Sequence, residues 1–210
     1  MIDDYDIDVK LLALTGLVHP GEFGATNQPE SEQLIEYSGR LCWGTTDKLG
    51  TNPRRIQDWI RVGHESVVEH SSATFYIRAS RALTHELVRH RLASYSQRSQ
   101  RHIKEIDPKY IVPPELKLGS SDSVSIFEKA MVQAWESYGD LISRGVRPEI
   151  ARYVLPNACE TQIVVTMNFR ELRHFIRLRS GKTALPEMRA VAGEIRRIMK
   201  SLAPEVFKDL

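Results

Sequence analysis

Helical and strand-like hydrophobic periods succeed one another along the chain, and together they predict a sheet flanked by helices. Val9 to Val18 is short and mostly apolar, which predicts a buried strand, and Pro20, Gly21 and Gly24 then break the chain. Asn27 or Ser31 can open a helix with Pro29 near its first turn, and Leu34, Tyr37, Leu41 and Cys42 recur at helical spacing as its packing face. Pro53 suits a first helical position ahead of Ile56, Trp59 and Ile60, and Gly63 ends that helix after Val62. Ala73 to Arg78 alternates Phe75 and Ile77 against Thr74, Tyr76 and Arg78, the period of a half-buried strand. It feeds a helix over Ser80 to Ala93 with Leu83, Leu87 and Val88 on its buried stripe. Ser94, Ser96 and Ser99 compete for backbone hydrogen bonds beyond it, so a loop is expected there.

In the second half, Asp107-Pro108, Pro113-Pro114 and Gly119 to Ser123 mark turns. Ser123 or Ser125 can cap a helix with Phe127, Met131, Ala134, Tyr138 and Ile142 on one core stripe, ending before Gly145. Pro148 opens a short helix that carries Arg152 and is bounded by Pro156. Thr161 to Met167 is strand-like and is closed by Asn168, Phe169 and Arg170. The next helix sets Arg170, His174 and Arg177 on one face and turns Leu172, Phe175 and Ile176 to the core. The last helix opens at Pro186-Glu187 and runs through Met188, Val191, Ile195, Ile198 and Leu202 to Pro204. With no repeat or low-complexity segment, the length suits one α+β domain spanning residues 1–210.

Charge changes the picture locally. Charged residues make up 27% of the chain, yet the formal charge is only +2, which argues against a general nucleic-acid binder with a broad positive face. The sequence has no apolar run of about 18 residues, and the acid-rich Met1 to Asp8 is unlike a signal peptide, so the expected place is the cytoplasm, without membrane contact. Cys42 and Cys159 form no disulfide framework and read as small buried hydrophobes. No metal is expected: His64 and His70 are six apart and His85 and His90 five apart, the wrong spacing for one helix face. Gly181-Lys182-Thr183 lacks the earlier glycine of a phosphate loop, Ile176 standing there, and no Gly-x-Gly-x-x-Gly occurs.

The basicity concentrates in Arg89 to Arg101, which holds four arginines, one histidine and three serines but no acid and no lysine. Guanidinium forks match two oxygens of a phosphate at once, serines add hydroxyl donors, and glutamines read donors and acceptors on a base. Such a stretch suits an anionic nucleotide. An alternative is a non-catalytic single-stranded nucleic-acid-binding module with Tyr95 as a stacking platform.

Arg89, His90, Arg91, Ser94, Ser99 and Arg101 carry a more specific signal. Their spacing, Arg-His-Arg, two residues, Ser, four residues, Ser, one residue, Arg, resembles the signature of the flavin-dependent thymidylate synthases. Gly63-His64-Glu65-Ser66 with Glu69-His70, the Ala151 to Pro156 segment and Asn168 to Arg179 are similar to further segments of that family. The resemblance covers about Ser38 to about Arg189. It implies a homotetramer of α+β subunits with sites shared between them. FAD would be the cofactor, and dTMP would be made from dUMP with methylenetetrahydrofolate as carbon donor and NADPH as reductant. Carried over by position, FAD would meet Ser66, Glu69, Arg89, His90, Arg91, Gln97, Asn168, Arg170 and His174. The dUMP site would comprise Glu86, Arg89, Gln97, Arg98, Ser99, Gln100, Arg101, Arg152 and Arg179, with Arg179 as the catalytic group at the pyrimidine ring. His102 and Thr183 depart from the family pattern, where tyrosine and histidine are frequent. Cys159 resembles the nucleophile segment of the unrelated cysteine-using synthases, but no arginine or histidine adjoins it to lower its pKa, and it reads as structural.

Overall fold

The computed structural model of the chain describes residues 5–23, 27–120 and 122–210. The break expected at Gly24 lies outside them, whereas Pro20 and Gly21 fall on a 3-10 turn, Pro20–Phe23. Two nine-residue strands form the centre, β2 (Ser72–Ser80) and β4 (Glu160–Asn168). They pair antiparallel without slippage from Ser72 opposite Asn168 to Ser80 opposite Glu160. Each strand buries every second residue, Ala73, Phe75, Ile77 and Ala79 on one and Thr161, Ile163, Val165 and Met167 on the other. That alternation fixes the register, because a one-residue slip would turn the slipped strand's apolar set to solvent. β1 (Asp8–Leu14) and β3 (Ala93–Gln97) flank the pair, giving a four-stranded antiparallel sheet in the order β1-β2-β4-β3.

Both outer strands correct the expectations from sequence. β1 is an edge strand with no fully buried residue, and Leu12 stands exposed, because only one of its sides has a neighbour. The helix after β2, α3 (Arg81–Leu87), stops well before Ala93, and the serine-rich continuation is β3 rather than a loop. Ser94 and Ser96 face solvent from that edge, while Ala93, Tyr95 and Gln97 turn inward. A strand pairing partner 74 positions away, as between Ala93 and Met167, outweighs what the local composition favours.

Helices α1 (Glu30–Cys42), α2 (Arg55–Arg61), α6 (Phe169–Arg179) and α7 (Pro186–Leu202) enclose the core, joined by a short C-terminal helix α8 (Pro204–Phe207). α1 presents the opposite face from the one its apolar spacing suggests. Ser31, Glu32, Gln33, Ile35, Glu36, Gly39 and Arg40 are buried, whereas Leu41 and Cys42 are exposed. Each buried charge has a partner. Glu32 Oε1 accepts from the backbone N–H of Glu205 (2.7 Å) and Val206 (3.2 Å), capping α8, and Glu36 binds Arg40 Nε at 2.6 Å. Arg173 in α6 is fully buried, donates to Asp209 Oδ1 and Oδ2 at 2.7 and 2.6 Å and also reaches the Val206 carbonyl. The C-terminal segment is thereby tied to α1 and α6.

Helix α4 (Ser123–Ser143) stands outside the main core and builds a smaller cluster of Met131, Trp135 and buried Cys159, with Phe127 beside it. The short helix α5 (Pro148–Ala151) follows it, and Arg152 opens the next 3-10 turn, Arg152–Val154. No helix among the described residues is long and apolar enough to cross a membrane.

Two stability predictions follow from α1. A Cβ added at Gly39 would clash with the outer edge of the Trp59 indole, so Gly39→Ala is expected to cost about 1–3 kcal/mol, read as a lower thermal midpoint. Burial raises the Glu32 carboxyl from its ordinary 4.5 to about 7 against the two backbone N–H groups that favour its charge. Between those values the folded chain holds a proton that the unfolded chain has lost, so this group makes stability fall as pH rises through that window. Glu32→Gln keeps an acceptor for both N–H groups and is expected to remove that slope when urea midpoints are compared across it.

Candidate functional site

β2 runs directly into α3 and β4 directly into α6, each helix capped by the last residue of its strand. Ser80 Oγ accepts from Leu83 N–H at 3.1 Å, and Asn168 Oδ1 from Glu171 N–H at 2.9 Å. Since the strands are antiparallel, the helices leave from opposite ends of the sheet and their C-terminal turns meet. Arg179, last in α6, fills the junction. Its Nη1 donates to Glu86 Oε2 at 3.0 Å, its Nη2 to the Glu86 carbonyl at 3.3 Å and its Nε to His90 Nε2 at 3.0 Å. A cation at two helix C-termini also meets the negative ends of both dipoles.

His90 is 5% exposed, and its Nδ1 lies 2.9 Å from Glu171 Oε1. Because an arginine Nε only donates, Nε2 must accept, and Nδ1 therefore carries the proton given to Glu171. Burial, and next to it the Arg179 charge, hold this imidazole below its ordinary 6.5, opposed by Glu171. Tyr95 on β3 completes the knot: its hydroxyl lies 2.8 Å from both the Leu87 and the His90 carbonyl. The ring packs against the core, so Tyr95 is not a free stacking platform, and the nucleic-acid-binding alternative loses that support.

The outer face of α6 borders a cleft of about 620 Å³ lined by Glu65, Glu69, Leu92, Asn168, Arg170, Glu171, His174 and Arg177. Its far wall is the 3-10 turn Glu65–His70 that precedes β2, where Ser66 and Glu69 are exposed. Arg170 Nη1 meets Glu69 at 2.5 Å, and Arg177 lies 3.5 Å from Glu65 and 3.1 Å from Asp209. Arg89 and Arg91 are exposed on either side of buried His90. The cleft thus combines cationic side chains with the N-terminus of a three-turn helix, a setting for an anionic ligand. His90, Glu171 and His174 bring one ligating atom each within 4.8 Å of one another, but the Arg179 guanidinium bonded to His90 opposes a cation there.

A second arginine cluster lies beyond the other end of β3. Glu149 binds Arg101 Nε at 3.1 Å and Arg147 Nη2 at 2.7 Å, and its carbonyl accepts from Arg152 Nε at 3.2 Å. Ser99 Oγ accepts from Arg101 N–H at 3.2 Å, and Arg98 pairs with Glu105 at 3.0 Å. Gln100 is 6% exposed with its side chain at the Cys159 thiol, and Gln97 donates to Thr84 and Thr161 hydroxyls at 3.0 and 3.3 Å. Burial pushes the Cys159 thiol up to about 12, so it stays protonated and is no nucleophile.

The structure therefore gathers Glu86, His90 and Arg179 at one end of β3, near Asn168, Arg170 and His174, and Ser99, Arg101 and Arg152 at the other. β3 itself, Ala93–Gln97, advances four steps, about 13 Å at strand rise, and Gln97 at its far end still reaches Thr84 of α3. Two partners carry no reading from the sequence, Glu171 and Glu149, while Tyr95 and Glu65 take up contacts that the sequence did not suggest. A usable signal existed for Glu171, which stands three residues after the capping Asn168, the capping-box spacing.

A family model described as thymidylate synthase complementing protein matches residues 25–205. A flavin-dependent thymidylate synthase of Geobacter sulfurreducens is 41% identical over 192 residues, covering 86% of this chain and 82% of the relative. The protein of that name from Mycobacterium tuberculosis is 37% identical over 230 residues, covering all of this chain and 92% of the relative. Its counterpart in Mycobacteroides abscessus matches to the same extent.

Tyr95→Phe removes the hydroxyl that holds the Leu87 and His90 carbonyls. It is expected to cost about 1–3 kcal/mol, measured as a shift of the denaturant midpoint.

Proposed function

The chain belongs to the thymidylate synthase complementing protein family, whose relatives above are flavin-dependent thymidylate synthases, and from this we propose that it makes dTMP by reductive methylation of dUMP. FAD is the redox cofactor, methylenetetrahydrofolate the carbon donor and NADPH the reductant, in a cytoplasmic homotetramer. The observation that carries this reading is the pair of cationic clusters at the two ends of β3, one beside a cleft and one rich in phosphate-type donors.

The residues present suit the anionic half of FAD. Arg170 sits in the first turn of α6 beside Asn168, and Arg89 and Arg91 extend exposed guanidinium groups nearby, the donor set that a diphosphate needs. Ser66, Glu69 and His174 border the same cleft or its wall, whereas Gln97 stands at the other end of β3, bonded to Thr84 and Thr161. When bound there, FAD supplies the hydride chemistry, and the protein contributes position and electrostatics.

The nucleotide phosphate fits the second cluster. Arg101, Arg152 and Ser99 supply charge-assisted and hydroxyl donors, Arg98 and Gln100 flank them, and Glu149 yields its carboxylate positions to a dianion. Arg179 and Glu86 belong at the pyrimidine, where a guanidinium that never deprotonates stabilises charge developing on the ring oxygens. Sites completed across a subunit boundary are what the family resemblance implies for this fold. Exposed Leu41, Trp43, Ile150 and Tyr153 offer apolar surface for such an assembly.

Substitution tests the roles. Arg179→Ala and Ser99→Ala are expected to lose dTMP formation while FAD stays bound, and a wild-type rate in either overturns the assignment. Arg101→Ala is expected to weaken dUMP binding by about 10- to 150-fold, the value of one charge-assisted bond, measured by calorimetric titration.

A further inference from the structure

Resting on the role of Arg179 above, we propose that the His90 imidazole is a positioning group for that guanidinium, with Glu171 setting its tautomer. Arginine carries five N–H donors in one plane. Hydrogen bonds to His90 and Glu86 engage three of them, on Nε, Nη1 and Nη2. Fixing both the Nε edge and the Nη ends leaves the plane no freedom to swing, and the two remaining Nη protons point in set directions.

The imidazole can accept only in one tautomer. If Nε2 carried the proton, two donors would face each other across 3.0 Å. Glu171, 2.9 Å from Nδ1, claims the proton on the other side and excludes that arrangement. The ring cannot turn away, since Phe175 meets it edge-on at 5.1 Å, His174 lies at 5.7 Å, and Tyr95 holds the His90 carbonyl. Water cannot replace either partner at a residue so deeply buried. Because both ring nitrogens are committed, a polar cofactor contact by the imidazole itself would have to break one of these bonds.

Groups facing the imidazole are Glu171, His174 and Arg179 from α6, with Glu86 of α3 behind Arg179 and Tyr95 of β3 at the backbone. Protonation turns the acceptor into a donor aimed at a guanidinium, so Arg179 loses its alignment at low pH. Burial keeps that event below the ordinary imidazole range, and Glu171 works in the opposite direction.

Two variants separate positioning from simple packing. Glutamine places a side-chain oxygen near the Nε2 location, whereas asparagine reaches only as far as Nδ1. His90→Asn is expected to lower kcat by about 100-fold, the cost of a misplaced group, with KM for dUMP within a few-fold and FAD retained. His90→Gln is expected to recover part of that loss. The acid limb of kcat in Glu171→Gln is expected to move to lower pH than in wild type, because the charge favouring imidazolium is gone. Loss of FAD with kcat preserved on the residual holoenzyme, equal loss in both His90 variants, or an unmoved acid limb would overturn the proposal. Should the variants misfold, ¹⁵N NMR of the wild-type holoenzyme decides alone: a protonated Nδ1 and bare Nε2 support it, and the reverse tautomer overturns it. A wild-type protein that makes no dTMP takes down the functional reading as well.

Discussion

The register between β2 and β4 constrains everything that follows. Nine residue pairs, from Ser72 with Asn168 to Ser80 with Glu160, set where each strand ends, and each end is at once the cap of a helix. No loop intervenes to absorb an error. Placement of Glu86 and Arg179 against each other is therefore a consequence of strand pairing. A one-residue slip of β4 on β2 would expose Ile163 and Val165 while Phe75 and Ile77 stayed inside, and it would also separate the α3 and α6 termini. The cost of burying that apolar sheet face wrongly, several side chains at about 1.5–3 kcal/mol each, protects the site geometry.

The chain's near-neutral charge has a local explanation in the same geometry. Glu69 holds Arg170, Glu65 and Asp209 hold Arg177, Glu86 holds Arg179, and Glu149 holds Arg101 and Arg147. Most of these pairs are partly exposed, and such pairs add little stability, about 0–1 kcal/mol each. Their consequence is pre-organisation: the arginines are held in fixed positions on carboxylates, which under the proposed function a phosphate, with more charge and better fork geometry, would displace. An anion-binding surface can thus be assembled at a formal charge of only +2.

Local periodicity disclosed the elements whose burial follows from their own pattern. The alternation in β2 and β4 and the division of α6 into Leu172, Phe175 and Ile176 against Arg170, His174 and Arg177 are of this kind. It did not disclose elements whose burial depends on a distant partner. Glu32 turns inward because α8, more than 170 positions later, needs a cap, and Arg173 is buried because Asp209 and the Val206 carbonyl receive it. Ser94 and Ser96 enter a strand because β4 offers an unpaired edge. At the candidate site, the thirteen-residue arginine segment is continuous in sequence, but strand β3 divides it between two places. The signature therefore reads as one cluster in sequence and two in space, and the acids Glu171 and Glu149 that organise those places lie in other elements.

The central claim is that one site holds a flavin and a pyrimidine nucleotide together, and the visible absorption spectrum tests it most directly. The purified full-length chain is loaded with FAD, freed of excess, and titrated with dUMP. A retained flavin band that shifts on saturable addition of dUMP, but not of deoxyuridine lacking the phosphate, is the expected result. A colourless protein, or a bound flavin whose spectrum ignores dUMP, would contradict it.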